Sequence, residues 1–107
     1  MNLNEEQRAK LSVLLYQLGD QLKEPPTILD YQDWKNNVDY IMQEIRDISD
    51  AAYYKLDDLV TEVLRLGEEH VYEIDSDEPP NVVARSAELF YTQVSYVTSE
   101  INSLKSL

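Results

Sequence analysis

The stretch from Trp34 to Leu66, WKNNVDYIMQEIRDISDAAYYKLDDLVTEVLRL, contains neither glycine nor proline. Trp34, Val38, Ile41, Ile45, Ile48 and Ala52 recur at alternating intervals of four and three, and Leu56, Leu59, Val63 and Leu66 resume the pattern. That period places one apolar stripe along an α-helix. The steps Ile48–Ala52–Leu56 put two intervals of four in succession, a stutter in the register. Two architectures follow. One is a single helix of about 37–44 residues, ~55–65 Å long at 1.5 Å per residue. The other is two helices divided at Asp47-Ile48-Ser49-Asp50, with Ser49 or Asp50 capping the second. The absence of a breaker favours continuity. Ordinary helix lengths favour division, as does the extra core that a chain of 107 residues gains by folding back. The division is the reading adopted.

Before this stretch, a helix is expected over about Glu5–Glu24. Asn4 caps it and Gln7 completes a capping box; Glu5 and Glu6 lie at its positive end. Leu11, Leu15, Leu18 and Leu22 form its stripe, with Gly19 inside it. Pro25-Pro26 ends it, because neither residue donates a backbone hydrogen bond. Asp30 is the expected cap of the next helix, and Trp34, Met42 and Phe90 are expected in the core, the indole N–H needing a partner if buried. Beyond Leu66 the helix either stops at Gly67 or runs on through Val71 and Ile74. Asp75-Ser76-Asp77-Glu78-Pro79-Pro80 reads as a loop. Val83, Ala87, Phe90, Val94, Val97, Ile101 and Leu104 then mark a last helix with a coiled-coil-like seam. The fold class is all-α, one antiparallel bundle of three to four helices spanning residues 1–107.

Charge is the strongest functional clue. The chain carries a net −12, and residues 39–78 alone carry −10. Residues 1–38 sum to −2 and residues 79–107 to zero. Such a field disfavours direct contact with nucleic acid or anionic lipid and favours a basic protein surface. No apolar run approaches the ~20 residues of a membrane span, and the N-terminus lacks the features of a signal peptide. The absence of cysteine excludes disulfides and fits a cytoplasmic protein.

On a helix through the acidic stretch, Asp47, Asp50, Tyr54, Asp57, Asp58, Arg65 and Glu68 lie opposite the apolar stripe. With Arg65 nearly alone among the cations, the face is expected to lack i,i+4 pairs and to repel itself. Tyrosines among the acids suit lysine and arginine: the carboxylate pairs with the charge and the ring accepts the cation. Asp47, Asp50, Tyr53, Tyr54, Asp57, Asp58, Glu62, Glu68 and Glu69 are therefore the candidate partner-binding residues. From Asp47 to Glu69 a helix would carry about one charge per 5 Å, sparser than the ~3.4 Å of a single DNA strand. Nucleic-acid mimicry would need the Asp75–Glu78 loop as well.

Other chemistry is weaker. Glu44-x-x-Asp47 with Asp57-Asp58 and Glu62 loosely resembles the paired acidic motifs with which all-α nucleotide pyrophosphohydrolases hold magnesium. Such a site needs carboxylates converging inside the bundle. Glu44 and Asp47 lie about 90° and 150° from the stripe and point outward. Asp75-x-Asp77-Glu78 lacks the glycine and terminal glutamate of a calcium loop. His70 has no nucleophile motif near it and reads as a partly exposed surface residue. No catalytic residue, cofactor or metal is expected. The expected function is a non-catalytic acidic binder or inhibitor, comparable in charge and size to nuclease immunity, anti-restriction and anti-CRISPR proteins. It would dock on the basic surface of a partner, such as that of a nucleic-acid-binding enzyme. The alternative is a self-associating structural or adaptor domain, a homodimer through the weakly charged last helix.

Overall fold

The computed structural model describes residues 3–106. They form four helices: α1 Glu5–Leu22, α2 Tyr31–Ile48, α3 Asp50–Asp75 and α4 Pro80–Lys105. Each helix packs on its two neighbours in a ring, α1 on α2, α2 on α3, α3 on α4 and α4 on α1. The all-α bundle is thus confirmed, with four members.

The division falls at one residue. Ser49 is extended at φ −154°, ψ 108°, and its hydroxyl accepts from the Ala52 N–H at 3.1 Å. Its own N–H still closes α2 by donating to the Ile45 carbonyl at 2.8 Å. One serine thus ends one helix and caps the next. α3 folds back along α2, so that Trp34 and Gly67, on opposite sides of Ser49 in the chain, meet.

α1 begins with the expected reciprocal box: Gln7 N–H donates to Asn4 Oδ1 at 2.8 Å, and Asn4 N–H to Gln7 Oε1 at 3.1 Å. It ends at Leu22, two residues before the expected boundary. A continuing helix would offer the Gln21 carbonyl to the N–H of residue 25, which is a proline. The Trp34 indole Nε1–H takes that place, donating to Gln21 O at 2.8 Å. Asp30 stands at the N-cap of α2 but does not cap it. Its carboxylate reaches back to the Thr27 N–H at 2.6 Å, serving the preceding turn.

Leu11, Leu15, Leu18 and Leu22 of α1 are buried against Trp34, Val38, Ile41, Met42 and Ile45 of α2. α3 contributes Ala52, Leu56, Val60, Val63 and Leu66, and α4 contributes Phe90, Val97, Ile101 and Leu104. Val60 is fully buried, and Leu59 of the expected stripe packs half-buried against the same core. Val83, Ala87 and Val94 of the expected α4 seam are only half-buried.

Gly67 does not stop α3. It is buried beneath the Trp34 indole, and a Cβ there would meet ring carbon Cη2 at 2.6 Å. α3 therefore continues for two more turns. α1 and α2 have 18 residues each and α3 and α4 have 26, a difference of about 12 Å in helix length. The shared core stops at Leu66 and Phe90. Beyond it α3 and α4 project together as a two-helix hairpin, within an envelope 50 Å long and 22 × 17 Å across.

Candidate functional site

Phase decides which acids share a face. At 100° per residue, Asp50, Asp57, Asp58, Glu62, Glu68 and Glu69 fall within an arc of about 140° on α3, opposite Ala52, Leu56 and Val63. Asp50, Asp58, Glu68 and Glu69 are exposed; Asp57 and Glu62 are half-buried at the margins. From Asp50 to Glu69 the ridge is about 28 Å long. Asp47 is exposed but sits on α2, across the Ser49 break, so it flanks the ridge instead of lengthening it.

The expectation of a face without internal ion pairs is corrected. Arg65 forks between Glu62 and Glu69: its Nε donates to Glu62 Oε1 at 3.0 Å and its Nη1 to Glu69 Oε2 at 3.0 Å, with a further close contact from Nη2 to Glu62. These hydrogen bonds hold the Glu62 carboxyl below its ordinary value and raise the guanidinium. Arg46 lies over the Tyr53 and Tyr54 rings at 4.9 and 5.6 Å, donates to the Tyr54 hydroxyl at 3.1 Å and faces Asp50 at 3.5 Å. The tyrosine–carboxylate chemistry read from the sequence is thus present, but the chain's own Arg46 occupies it. Among the described residues, Asp47, Asp57 and Asp58 carry no ion pair. Partial burial pushes the ionisation of the Tyr31 hydroxyl up, and the negative charge of Glu68 adds to that.

The hairpin tip concentrates more acid. α3 ends in a Schellman turn: Glu78 N–H donates to Glu73 O and Asp77 N–H to Ile74 O, each at 3.2 Å. Asp77 holds the left-handed position usual for glycine, at φ 56°. The last turn of α3 has no basic residue, so Glu73 and Asp75 stand at the negative end of the helix dipole. Asp77 and Glu78 also precede the N-terminus of α4, whose positive end offsets part of that repulsion.

Inside the hairpin, His70 is buried, which corrects the surface position expected for it. Its Nδ1 lies 2.6 Å from Ser86 Oγ, and Ser86 Oγ donates to Val83 O at 2.9 Å. A hydroxyl has one proton to give, so Nδ1 is the donor toward Ser86. This is not a nucleophile dyad, in which the serine proton goes to the histidine; both groups are shielded, and the pair ties α3 to α4. Neither was readable from spacing alone, because the expected seam steps from Val83 to Ala87 and leaves Ser86 beside it. Beside this pair a cavity of about 180 Å³ opens between the two helices, bordered by Glu69, Glu73 and Arg85. Glu73 Oε2 is shielded from solvent and has no protein hydrogen-bond partner. Among the described residues no three histidine, aspartate or glutamate side chains are grouped to hold a metal, and no helix is long and apolar enough to cross a membrane.

Comparison with known proteins returns no match to a family model, to a characterised protein or to a solved structure.

Proposed function

We propose that this protein is a non-catalytic acidic binder that docks the outer face of α3 and the α3–α4 tip on a basic surface of another protein. The carrying observation is the placement of acid where it harms the fold. Glu73 and Asp75 oppose the α3 dipole, and Asp77 occupies a left-handed position that glycine would fill with less strain. Asp57 and Asp58 lack ion pairs one turn from the Arg65 fork. Carboxylates set against local stability fit a role in recognition. An antagonist of a nucleic-acid-binding enzyme, of the immunity, anti-restriction or anti-CRISPR kind, is the partner relationship this chemistry suits best. Its basic channel would supply the counter-charge.

The test is capture of basic partners at low and high ionic strength, followed by charge reversal. Asp57→Lys with Asp58→Lys is expected to weaken the captured complex at least tenfold, and moderate salt to do the same. Affinity indifferent to both would remove α3 from the contact.

A second reading rests on α4, whose Leu89, Tyr91 and Tyr96 are 45%, 48% and 54% exposed. A self-associating domain would use them. Sedimentation should then show a concentration-dependent dimer that tolerates salt and is lost in Tyr91→Glu or Tyr96→Glu.

A further inference from the structure

The bundle leaves a step uncovered where α1 and α2 end. Ile74 stands eighteen residues after Leu56 in α3, and Val83 eighteen before Ile101 in α4. Eighteen residues make about five full turns, so Ile74 and Val83 lie on the same face of their helices as Leu56 and Ile101. Leu56 and Ile101 are buried, yet Ile74 is 50% exposed and Val83 half-buried. The difference is the missing cover: the core that they would join stops at Leu66 and Phe90. Pro26 lies close to Gly67, which places the loop between α1 and α2 at that same level, as the floor of the step. That loop carries Ile28, exposed, and Leu29, 94% exposed. Wall and floor of one concave corner thus both carry uncovered apolar side chains.

We propose that this step receives one short amphipathic helix of the basic partner; the inference rests on the docking reading above. Three features select that occupant. α3 and α4 outrun α1 and α2 by about 12 Å, and one α-helix with its side chains measures about 10–12 Å across. A helix also satisfies its own backbone hydrogen bonds, so an apolar stripe is enough to cover Leu29, Ile74 and Val83. The rim sets the polar face. Between Arg65 and Arg85 the hairpin carries six carboxylates and no lysine or arginine, so basic residues beside the stripe complement it. A second copy of this chain is disfavoured there, because its own tip would bring the same carboxylates.

The test uses two synthetic peptides of leucine and lysine, about 14 residues long and identical in composition. One has leucine at i, i+3, i+4 and i+7, and the other has the order scrambled. Calorimetry on the full chain is expected to show the striped peptide binding about tenfold tighter or more, with amide shifts at Leu29, Ile74 and Val83. Leu29→Ser with Ile74→Ser should erase that preference and leave the scrambled peptide's affinity nearly unchanged. Both positions are exposed, and a circular dichroism melt checks that the variant folds. Equal binding of the two peptides, lost in high salt, overturns the step and leaves docking by charge standing. Binding of neither peptide at low salt overturns both. Shifts of the native chain confined to other residues overturn the step without any variant. So does a preference that survives the double substitution, because the stripe then docks elsewhere. Sedimentation supplies the last arm: a dimer of the native chain that the double substitution dissociates assigns the step to a second copy and overturns the partner helix.

Discussion

Replacing Gly67 with alanine tests whether the indole of Trp34 is the reason for the glycine. Two effects oppose each other. Alanine is favoured over glycine inside a helix by about 1 kcal/mol. Against that, the added Cβ would lie 2.6 Å from Trp34 Cη2, 3.0 Å from Cζ3 and 3.3 Å from Pro26 Cδ. An ordinary contact needs roughly 3.5–4 Å, so the ring must withdraw by about 1 Å. It has little room to do so. Its N–H is fixed to Gln21 O at 2.8 Å, and its neighbours Tyr31 and Phe90 lie at 6.1 and 6.2 Å between ring centroids. Overpacking of this kind costs about 1–3 kcal/mol, and weakening the indole bond to Gln21 O costs a further ~1 kcal/mol. The clash therefore wins, with a net loss of about 1–3 kcal/mol.

Gly19→Ala is the matched control. Its Cβ would meet only Ile101 Cδ1, at an ordinary 3.9 Å, so the same propensity gain arrives unopposed and the variant is expected to gain about 1 kcal/mol. Comparing the two variants cancels helix propensity and leaves the steric term, about 2–4 kcal/mol, or roughly 10–25 °C between melting temperatures in a domain of this size. Urea unfolding followed by fluorescence suits the comparison, since Trp34 is the single tryptophan in the chain. Gly67→Ala melting at or above Gly19→Ala would refute the packing argument.

Four further outcomes are expected. Ser49→Ala removes the α3 cap and should lower stability by about 1 kcal/mol in a thermal melt. Ser86→Ala leaves the buried His70 N–H without its acceptor; hydrogen exchange should accelerate in residues 68–86 while the core around Leu56 keeps its protection. Asp77→Gly relieves the left-handed backbone and should raise stability by up to about 1 kcal/mol, while weakening any complex that uses the tip. Arg65→Gln should return the Glu62 midpoint upward toward the ordinary glutamate value in a carboxyl NMR titration. With Arg65 present, the stability from this pair is in place above the ordinary glutamate range and lost as pH falls through the lowered Glu62 value.

Much of the fold was legible because its determinants are local. The Asn4–Gln7 box, the Pro25-Pro26 stop and the leucine stripe of α1 act within a few residues. The Ser49 division was legible for the same reason: a serine at a stutter is a cap without needing a glycine. Gly67 was not decidable. A glycine that ends a helix and one that admits an indole look alike until Trp34, which lies in another helix, is in place. His70 was misjudged for a related cause, since its burial depends on Ser86 across the hairpin and not on its acidic neighbours. The acidic face was legible from phase alone, but its internal pairing was not. Arg46 and Arg65 are few in number, yet each engages several groups, so counting cations overstates the repulsion.

That pairing changes what the acidic segment can offer a partner. The guanidinium of Arg46 already stacks on Tyr53 and Tyr54, and Arg65 already spans Glu62 and Glu69. Near the Ser49 end and along the middle of α3, part of the charge is therefore spent on the fold. The balance shifts beyond Gly67. There the shared core has ended, the helix dipole opposes Glu73 and Asp75, and Glu73 keeps an oxygen without a donor. The two long helices carry this charge past the ends of α1 and α2, and under the docking proposed above a basic partner surface would meet it there first. Length matters as much as charge. With α3 ending at Gly67, the same acids would lie in a loop against the bundle and present no projection to insert. The glycine that fits the indole of Trp34 is thus also what lets the helix pass the tryptophan unbroken and form the acidic tip.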